Sequence, residues 1–255
     1  MQPLTIIQAR MGSSRFPGKI MVPINGTTSI ELMIKRLSRH PDLQNIVVAT
    51  STAATDDVFC AYLNTINVRY IRGSEDNVLQ RFHDAIDKYP ADTIVRATGD
   101  CPFIDPDLVI ELICAFSQEN ADYAYLSPKF AEGLDVEVFT KNAIEVANLE
   151  AALESEREHV TLFLSNNPDR FKIIKFDQNQ DHSAYRFTLD TPEDLEVINA
   201  IADEFKTSMA DVQTNEIIEF LNNNPKVFEK NNQIIRNEGL MKSLANDKLY
   251  AKDDT

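Results

Sequence analysis

Apolar and polar positions along the first half of the chain fall into two alternating regimes, short apolar runs and longer amphipathic stretches. Leu4 to Ala9 is an almost unbroken apolar run, and a run without polar alternation predicts a strand buried on both faces of a parallel sheet. The same signature returns at 45–50, 68–72, 93–97 and 121–126. Between these runs the period lengthens to that of a helix. Ser29 reads as the cap of a helix over 30–39 with Leu32, Met33, Ile34 and Leu37 as its apolar stripe, a second helix starts near Thr55, and a third spans 75–89. Asp105 followed by Pro106 and Asp107 predicts the start of a helix to about Ser117.

Strands and helices at this spacing are βαβ units, hence an α/β fold with a right-handed, mostly parallel sheet and helices on both faces. The alternation breaks over 127–170, where a loop, the strand pattern of 135–139 and helices over 143–153 and 157–166 predict an α+β insertion that closes over a site or mediates dimerisation. Further strands are expected at 172–176 and 185–189, a strongly capped helix at 192–205, a helix at 209–224, and a polar, less ordered tail beyond 225. Residues 1–210 are thus expected to form the main domain and 211–255 a helical C-terminal extension.

The first strand ends in a loop of unusual composition, with Arg10, Gly12, Ser13, Ser14, Arg15, Gly18 and Lys19 within ten residues. Cations, hydroxyls and a glycine that lets the backbone approach closely are what a polyphosphate needs. The loop is not a Walker motif, since Gly12 and Gly18 enclose five residues and Lys19 precedes Ile20, and no G-x-G-x-x-G is present. As a bare pattern it suits a solvated turn equally well.

Charge sharpens this picture. The chain of 255 residues carries a formal charge of −15, which argues against a general nucleic-acid or membrane partner. Residues 1–39 nevertheless hold six basic side chains against one acid, Glu31, as expected of a site for a small anion. Cys60, Cys101 and Cys114 have neither disulfide nor zinc spacing, and no apolar run approaches the ~18 residues of a membrane span. A cytoplasmic location is expected.

Two segments repeat one shape: Thr98-Gly99-Asp100-Cys101-Pro102 and Thr188-Leu189-Asp190-Thr191-Pro192. The ordinary reading of such an aspartate is a helix cap. Asp105 and Thr191 already fill that role, with Asp194 at the third helical position, so Asp100 and Asp190 are left without a structural task. Two carboxylates at separate strand ends facing a loop of Arg and Lys suit Mg²⁺ on a nucleotide's phosphates, because that ion takes one or two protein carboxylates and completes its octahedron with water and phosphate.

The segments IIQARMGSSRFPGK, RATGDCPFIDPDLV, EGLDVEVF, REHVT, TLDTPEDLEVI and IIRNEGLMKSL, in this order between residue 5 and about 244, resemble the cytidylyltransferase family. The similarity is to its spore-coat-polysaccharide-type branch, near the enzymes that make CMP-activated acylneuraminate and Kdo. The resemblance implies a Rossmann-like fold, CTP as donor, Mg²⁺ as cofactor and pyrophosphate as leaving group. It places Ala9, Arg10, Gly12, Ser13, Ser14, Arg15 and Lys19 on the nucleotide loop, and Asp100 and Asp190 on the metal. Arg10, Lys19 and Asp100 are then the catalytic set. Thr50 and Ser51 match the region near the base, and Arg81 and Arg96 fall on the nucleotide side, although an exposed or capping role suits either arginine as well.

For the acceptor the same comparison points to Gly133, Asp135, Glu137, Arg157, Glu158 and His159. Asp135 and Glu137 share one face of a strand. Arg157 is a candidate for a sugar acid's carboxylate, or pairs with Glu154 or Glu156 on a solvated helix. A lone histidine such as His159 is more often a structural hydrogen-bonder than a catalyst. Compared with the sialic-acid branch, Arg15-Phe16-Pro17-Gly18-Lys19 replaces the middle of the loop, which bears on the acceptor more than on the nucleotide. The implied activity is CMP transfer to a sugar acid by a homodimer. Transfer to another sugar or an alditol phosphate, a nucleotide-sugar glycosyltransferase, and a non-catalytic nucleotide-binding module are the competing readings.

Overall fold

In the computed structural model, which describes residues 2–250, a seven-stranded sheet forms the frame. The strands are β1 (Leu4–Gln8), β4 (Ile46–Ser51), β5 (Tyr70–Gly73), β6 (Thr93–Thr98), β7 (Tyr123–Leu126), β8 (Val136–Thr140) and β9 (Ile173–Phe176), and a two-stranded ribbon of β2 (Pro23–Ile24) and β3 (Thr27–Thr28) stands apart. The order is β5-β4-β1-β6-β8-β7-β9, with β5, β4, β1 and β6 mutually parallel and β8 antiparallel to both its neighbours. The expected mostly parallel α/β architecture is therefore what the chain forms.

Its helices are α1 (Ser29–Leu37), α2 (Asp57–Thr65), α3 (Val78–Lys88), α4 (Pro106–Glu119), α5 (Lys141–Glu150), α6 (Glu154–Glu158), α7 (Leu162–Asn166), α8 (Pro192–Phe205), α9 (Thr214–Asn223), α10 (Pro225–Phe228) and α11 (Glu238–Ala245). Strand β1 shows why both faces are covered. Ile7 packs with α1, α2, α4, α8 and α9 on one side, while Leu4 and Ile6 pack with α3, α5 and α7 on the other. Each such fully buried side chain contributes on the order of 1.5–3 kcal/mol.

Several expectations shift. Thr28, rather than Ser29, caps α1 by accepting the Glu31 N–H, and α3 begins at Val78 behind an Asn77 cap rather than at Glu75. The helix expected over 157–166 is two short helices, α6 and α7, parted at Val160, whose φ is 48°. The one expected over 209–224 starts only at Thr214. Residues 185–189 do not join a ladder and make a single bridge, Arg186 with Glu132. The tail to residue 250 is not loose: it carries α10 and α11, and Tyr250 N donates to Ala152 O at 2.7 Å. Among the described residues no helix is long and apolar enough to cross a membrane.

Candidate active site

From β1 the chain moves outward to β4 and β5, then returns to place β6 on the other side of β1. Strands β1 and β6 therefore flank the point where the winding reverses, and ligands of open α/β sheets bind in the crevice at the carboxyl ends of such strands. Gly99 N donates to Gln8 O at 2.8 Å across it, and a Cβ at Gly99 would lie 2.7 Å from Ala9 Cβ. Only glycine allows that approach. The loop after β1 closes on itself, with Gly18 N donating to Met11 O (3.0 Å) and Phe16 N to Ser13 Oγ (3.3 Å), and Gly18 has a φ of 75° that favours glycine. Met11 N ties the loop to the turn after β4 by donating to Asp56 Oδ1 at 2.7 Å.

Asp100 and Asp190, 90 residues apart in the chain, meet at Lys19: its Nζ lies 2.7 Å from Asp100 Oδ2 and 2.6 Å from Asp190 Oδ1. Arg15 Nη2 takes the other Asp190 oxygen at 2.6 Å. The capping assignments also hold, since Asp105 accepts from Asp107 N and Leu108 N, and Thr191 and Asp194 form a reciprocal capping box. Burial of Asp100 favours its neutral form, but the Lys19 ammonium outweighs this and brings the pKa to about 2. For Lys19 burial acts downward, and the two carboxylates more than reverse it. Both groups are therefore charged at neutral pH.

The described residues contain no cluster of three or more His, Cys, Asp or Glu side chains able to hold a metal. A pair of carboxylates alone fits Mg²⁺, whose remaining positions go to water and phosphate, and does not fit a tightly resident ion. Arg10 lies at the far edge of the loop, its Nη1 3.0 Å from Glu75 Oε1.

From the carboxylate pair a cleft of about 530 Å³ runs past β7 and β8 to His159, α7 and the C-terminal strap at 236–240. Its wall includes Arg96, Glu137, His159, Thr161, Asp135 and Arg236. Glu137 pairs with Arg96 and accepts from Tyr123 Oη and Thr161 Oγ1. Burial lowers the pKa of His159, whose Nε2 is buried with no hydrogen-bond partner among the described residues. Arg236 Nη1 donates to Pro128 O (3.0 Å) and Phe130 O (2.8 Å), and Nη2 to Asp135 Oδ1 (2.7 Å).

With this geometry, a family model described as cytidylyltransferase matches residues 4–238. The chain belongs to the cytidylyltransferase family. It is 36% identical over 229 residues to the spore coat polysaccharide biosynthesis protein SpsF of Bacillus subtilis, covering 87% of this chain and 95% of that one. A solved cytidylyltransferase from Leptospira borgpetersenii superposes with a TM-score of 0.85 at 33% identity, covering 92% of this chain and all of the other. CMP:2-keto-3-deoxy-manno-octonic acid synthetase in complex with CTP shares the fold, with a TM-score of 0.62 at 18% identity over 80% of this chain and 99% of that one.

Within this cytidylyltransferase frame the expected residues sort into three groups. Arg15, Lys19, Asp100 and Asp190 converge, and Asp135, Glu137 and His159 line the adjoining cleft. Arg96, expected beside the nucleotide, stands in that cleft with Glu137, and its Nη2 donates to Gln8 Oε1 at 3.1 Å. Thr50 and Ser51 turn inward, where both hydroxyls and Ser51 N donate to Asp56. Their side chains thus support the loop instead of facing a base.

Arg157 leaves the acceptor set. It is buried, donates to Ala151 O (2.7 Å) and Asn148 Oδ1 (2.9 Å), and stacks on Tyr250. Glu158 accepts from Ser243 Oγ, tying the strap down, and Gly133 serves backbone packing: its φ is 98° and a Cβ there would meet Thr188 N at 2.4 Å. Arg81 is 1% exposed, its Nε and Nη1 have no hydrogen-bond partner among the described residues, and burial brings its pKa down to about 10. Asp56, Glu75 and Asp76 supply counter-charge, which burial and the neighbouring Arg10 outweigh. Asp56, Arg236 and Glu238, which pairs with Arg15 at 3.2 Å, are the site residues that pattern reading missed. Only the arginine and glutamate of the IIRNEGLMKSL segment carried any signal.

Proposed function

We propose that the protein transfers CMP from CTP to a hydroxyl of a sugar acid of the nonulosonic or Kdo type, releasing pyrophosphate, with Mg²⁺ held by Asp100 and Asp190. The observation that carries this reading is the meeting of the two aspartates with the loop's cations at the switch point of a cytidylyltransferase-family sheet. The bound ion supplies neutralisation of charge at the α-phosphate. Arg10, Arg15 and Lys19 hold the departing phosphates. The acceptor oxygen forms a bond to the α-phosphorus as the bond to the β-phosphate oxygen breaks. His159, kept neutral by burial, receives the hydroxyl's proton.

Three features support an acidic acceptor. The cleft is large enough for a sugar acid and presents the Arg96 and Arg236 guanidiniums. Arg236, held by three acceptors, makes no bond through Nε among the described residues, so it replaces Arg157 as the cation for a carboxylate. The Bacillus subtilis relative is named for spore coat polysaccharide biosynthesis, in keeping with a CMP-sugar made for glycan assembly.

The test is pyrophosphate release with each of the four nucleoside triphosphates and Mg²⁺ against N-acetylneuraminate, Kdo and neutral sugars. Release with CTP and an acid, lost in Asp100→Asn, is expected, and Arg236→Gln raises the acceptor KM about tenfold or more with a smaller effect on kcat. UDP release from a nucleotide-sugar without pyrophosphate, or unchanged turnover in Asp100→Asn, would overturn the reading.

A further inference from the structure

Every cation of the nucleotide loop is held by a carboxylate from outside the loop: Arg10 by Glu75 at 3.0 Å, Arg15 by Asp190 at 2.6 Å and Glu238 at 3.2 Å, Lys19 by Asp100 and Asp190 at 2.7 and 2.6 Å. Lys19 is the most committed of the three. Its side chain is 12% exposed, and one nitrogen holds both of the carboxylates that would hold a divalent ion. A divalent ion that took both carboxylates would need to lie about 2.1 Å from their oxygens, where it would meet an ammonium already 2.6–2.7 Å from them, so the two cations would exclude one another. The second oxygen of Asp190 is no alternative, because Arg15 and, at 3.5 Å, Arg186 face it. The charges also match: the carboxylate pair is balanced either by Lys19 with Arg15 or by one divalent ion.

From this geometry we infer that Lys19 occupies the metal position while no nucleotide is bound, so that a divalent ion enters only as the loop's cations move onto a polyphosphate. The inference rests on the assignment of Asp100 and Asp190 as metal ligands. A loop built to grip phosphate then has its charge stored on the metal ligands. The arriving triphosphate draws Lys19 and Arg15 away, and the vacated carboxylates take the ion. Linkage makes the effect reciprocal, so the ion raises nucleotide affinity by the factor by which the nucleotide raises the ion's.

The experiment is a nucleotide-free Mn²⁺ titration followed by electron paramagnetic resonance. Wild type and Lys19→Arg bind Mn²⁺ weakly, Lys19→Met and Lys19→Gln bind it at least tenfold more tightly, and adding Asp100→Asn to Lys19→Met removes the gain. A folding defect in Lys19→Met is itself informative, because Mn²⁺ then raises its melting temperature and leaves that of wild type unchanged. Equal Mn²⁺ affinity in wild type and both neutral variants, or tight binding by Lys19→Arg, overturns the inference. That result leaves the transfer reaction standing if Asp100→Asn still abolishes pyrophosphate release, whereas loss of the reaction assignment itself shows as unchanged release in Asp100→Asn.

Discussion

Asp56→Asn separates loop positioning from strand integrity, because the four donors to this fully buried carboxylate are divided unequally. Oδ2 accepts from Thr50 Oγ1, Ser51 N and Ser51 Oγ, whereas Oδ1 accepts only from Met11 N at 2.7 Å. The amide oxygen of asparagine keeps the first three. Its NH₂ then faces the Met11 N–H, donor against donor, and strands one buried group at about 1–3 kcal/mol. Urea unfolding should register about 2 kcal/mol of lost stability with m unchanged. Because the broken bond is the loop's tether to the turn after β4, nucleotide binding must then order the loop. The same 1–3 kcal/mol becomes a roughly 5–150-fold weaker CTP affinity by calorimetry, and hydrogen exchange over 11–18 speeds up. The carboxylate's hydrogen bonds, which outweigh its burial, hold its pKa below 3.8. Its stabilisation is therefore present above 3.8 and lost as pH falls through the folded value, and the variant loses that part of the acid transition. A folded Asp56→Asn protein with CTP affinity within twofold of wild type would refute the tether.

Gly99→Ala places a methyl group 2.7 Å from Ala9 Cβ and 3.2 Å from Gln8 O, costing about 1–3 kcal/mol. By displacing the strand ends it lowers turnover about 100-fold, seen as reduced pyrophosphate release from a protein that still melts cooperatively. Arg157→Met removes buried bonds to Ala151 O and Asn148 Oδ1 and lowers stability by roughly 2–3 kcal/mol, while the acceptor KM stays within twofold. His159 has its pKa lowered from 6.5, first by burial. Its contribution to stability is complete above 6.5 and lost as pH falls from there through the folded value; ring-nitrogen NMR should show a titration midpoint below 6.5, and His159→Gln should flatten that part of the stability curve.

What could be read from the chain was whatever depended on near neighbours. The apolar runs located the strands, and Asp105 and Thr191 as caps left Asp100 and Asp190 without a capping task; both carboxylates meet at Lys19. Failures came where a partner lies far along the chain. Asp56 reads locally as an acid at a helix start, yet its decisive donor is Met11, 45 residues earlier. Arg157 reads as an exposed helical cation because Tyr250, which stacks on it, is 93 residues later. The tail reads as loose because its order comes from Glu158, Ser155 and Asn77, not from its own pattern.

The absence of a ladder at 185–189 raises the question of how Asp190 is held for a site that needs a fixed carboxylate pair. Asp100 has the end of β6 behind it, whereas Asp190 follows a single backbone bond, Leu189 N to Asp100 O at 2.7 Å, and is otherwise anchored by charge. Asp194 Oδ2 accepts from Asp190 N (2.9 Å) and Thr191 N (3.0 Å), and Arg186, 3% exposed, binds both oxygens of Asp194 and pairs with Glu132. Asn231 closes the group by donating to Asp194 Oδ1 and Arg186 O. Removing one member of such a network leaves an unpaired buried charge, worth ~3–5 kcal/mol, so the network confines the backbone as tightly as strand pairing does. It also ties three distant stretches, around Glu132, Arg186 and Asn231, to one side of the carboxylate pair. Gly133 lets the first of them approach within contact of Thr188 N. An irregular segment can therefore present half of the carboxylate pair because much of its rigidity comes from buried ion pairs, which leave no periodic trace in the sequence.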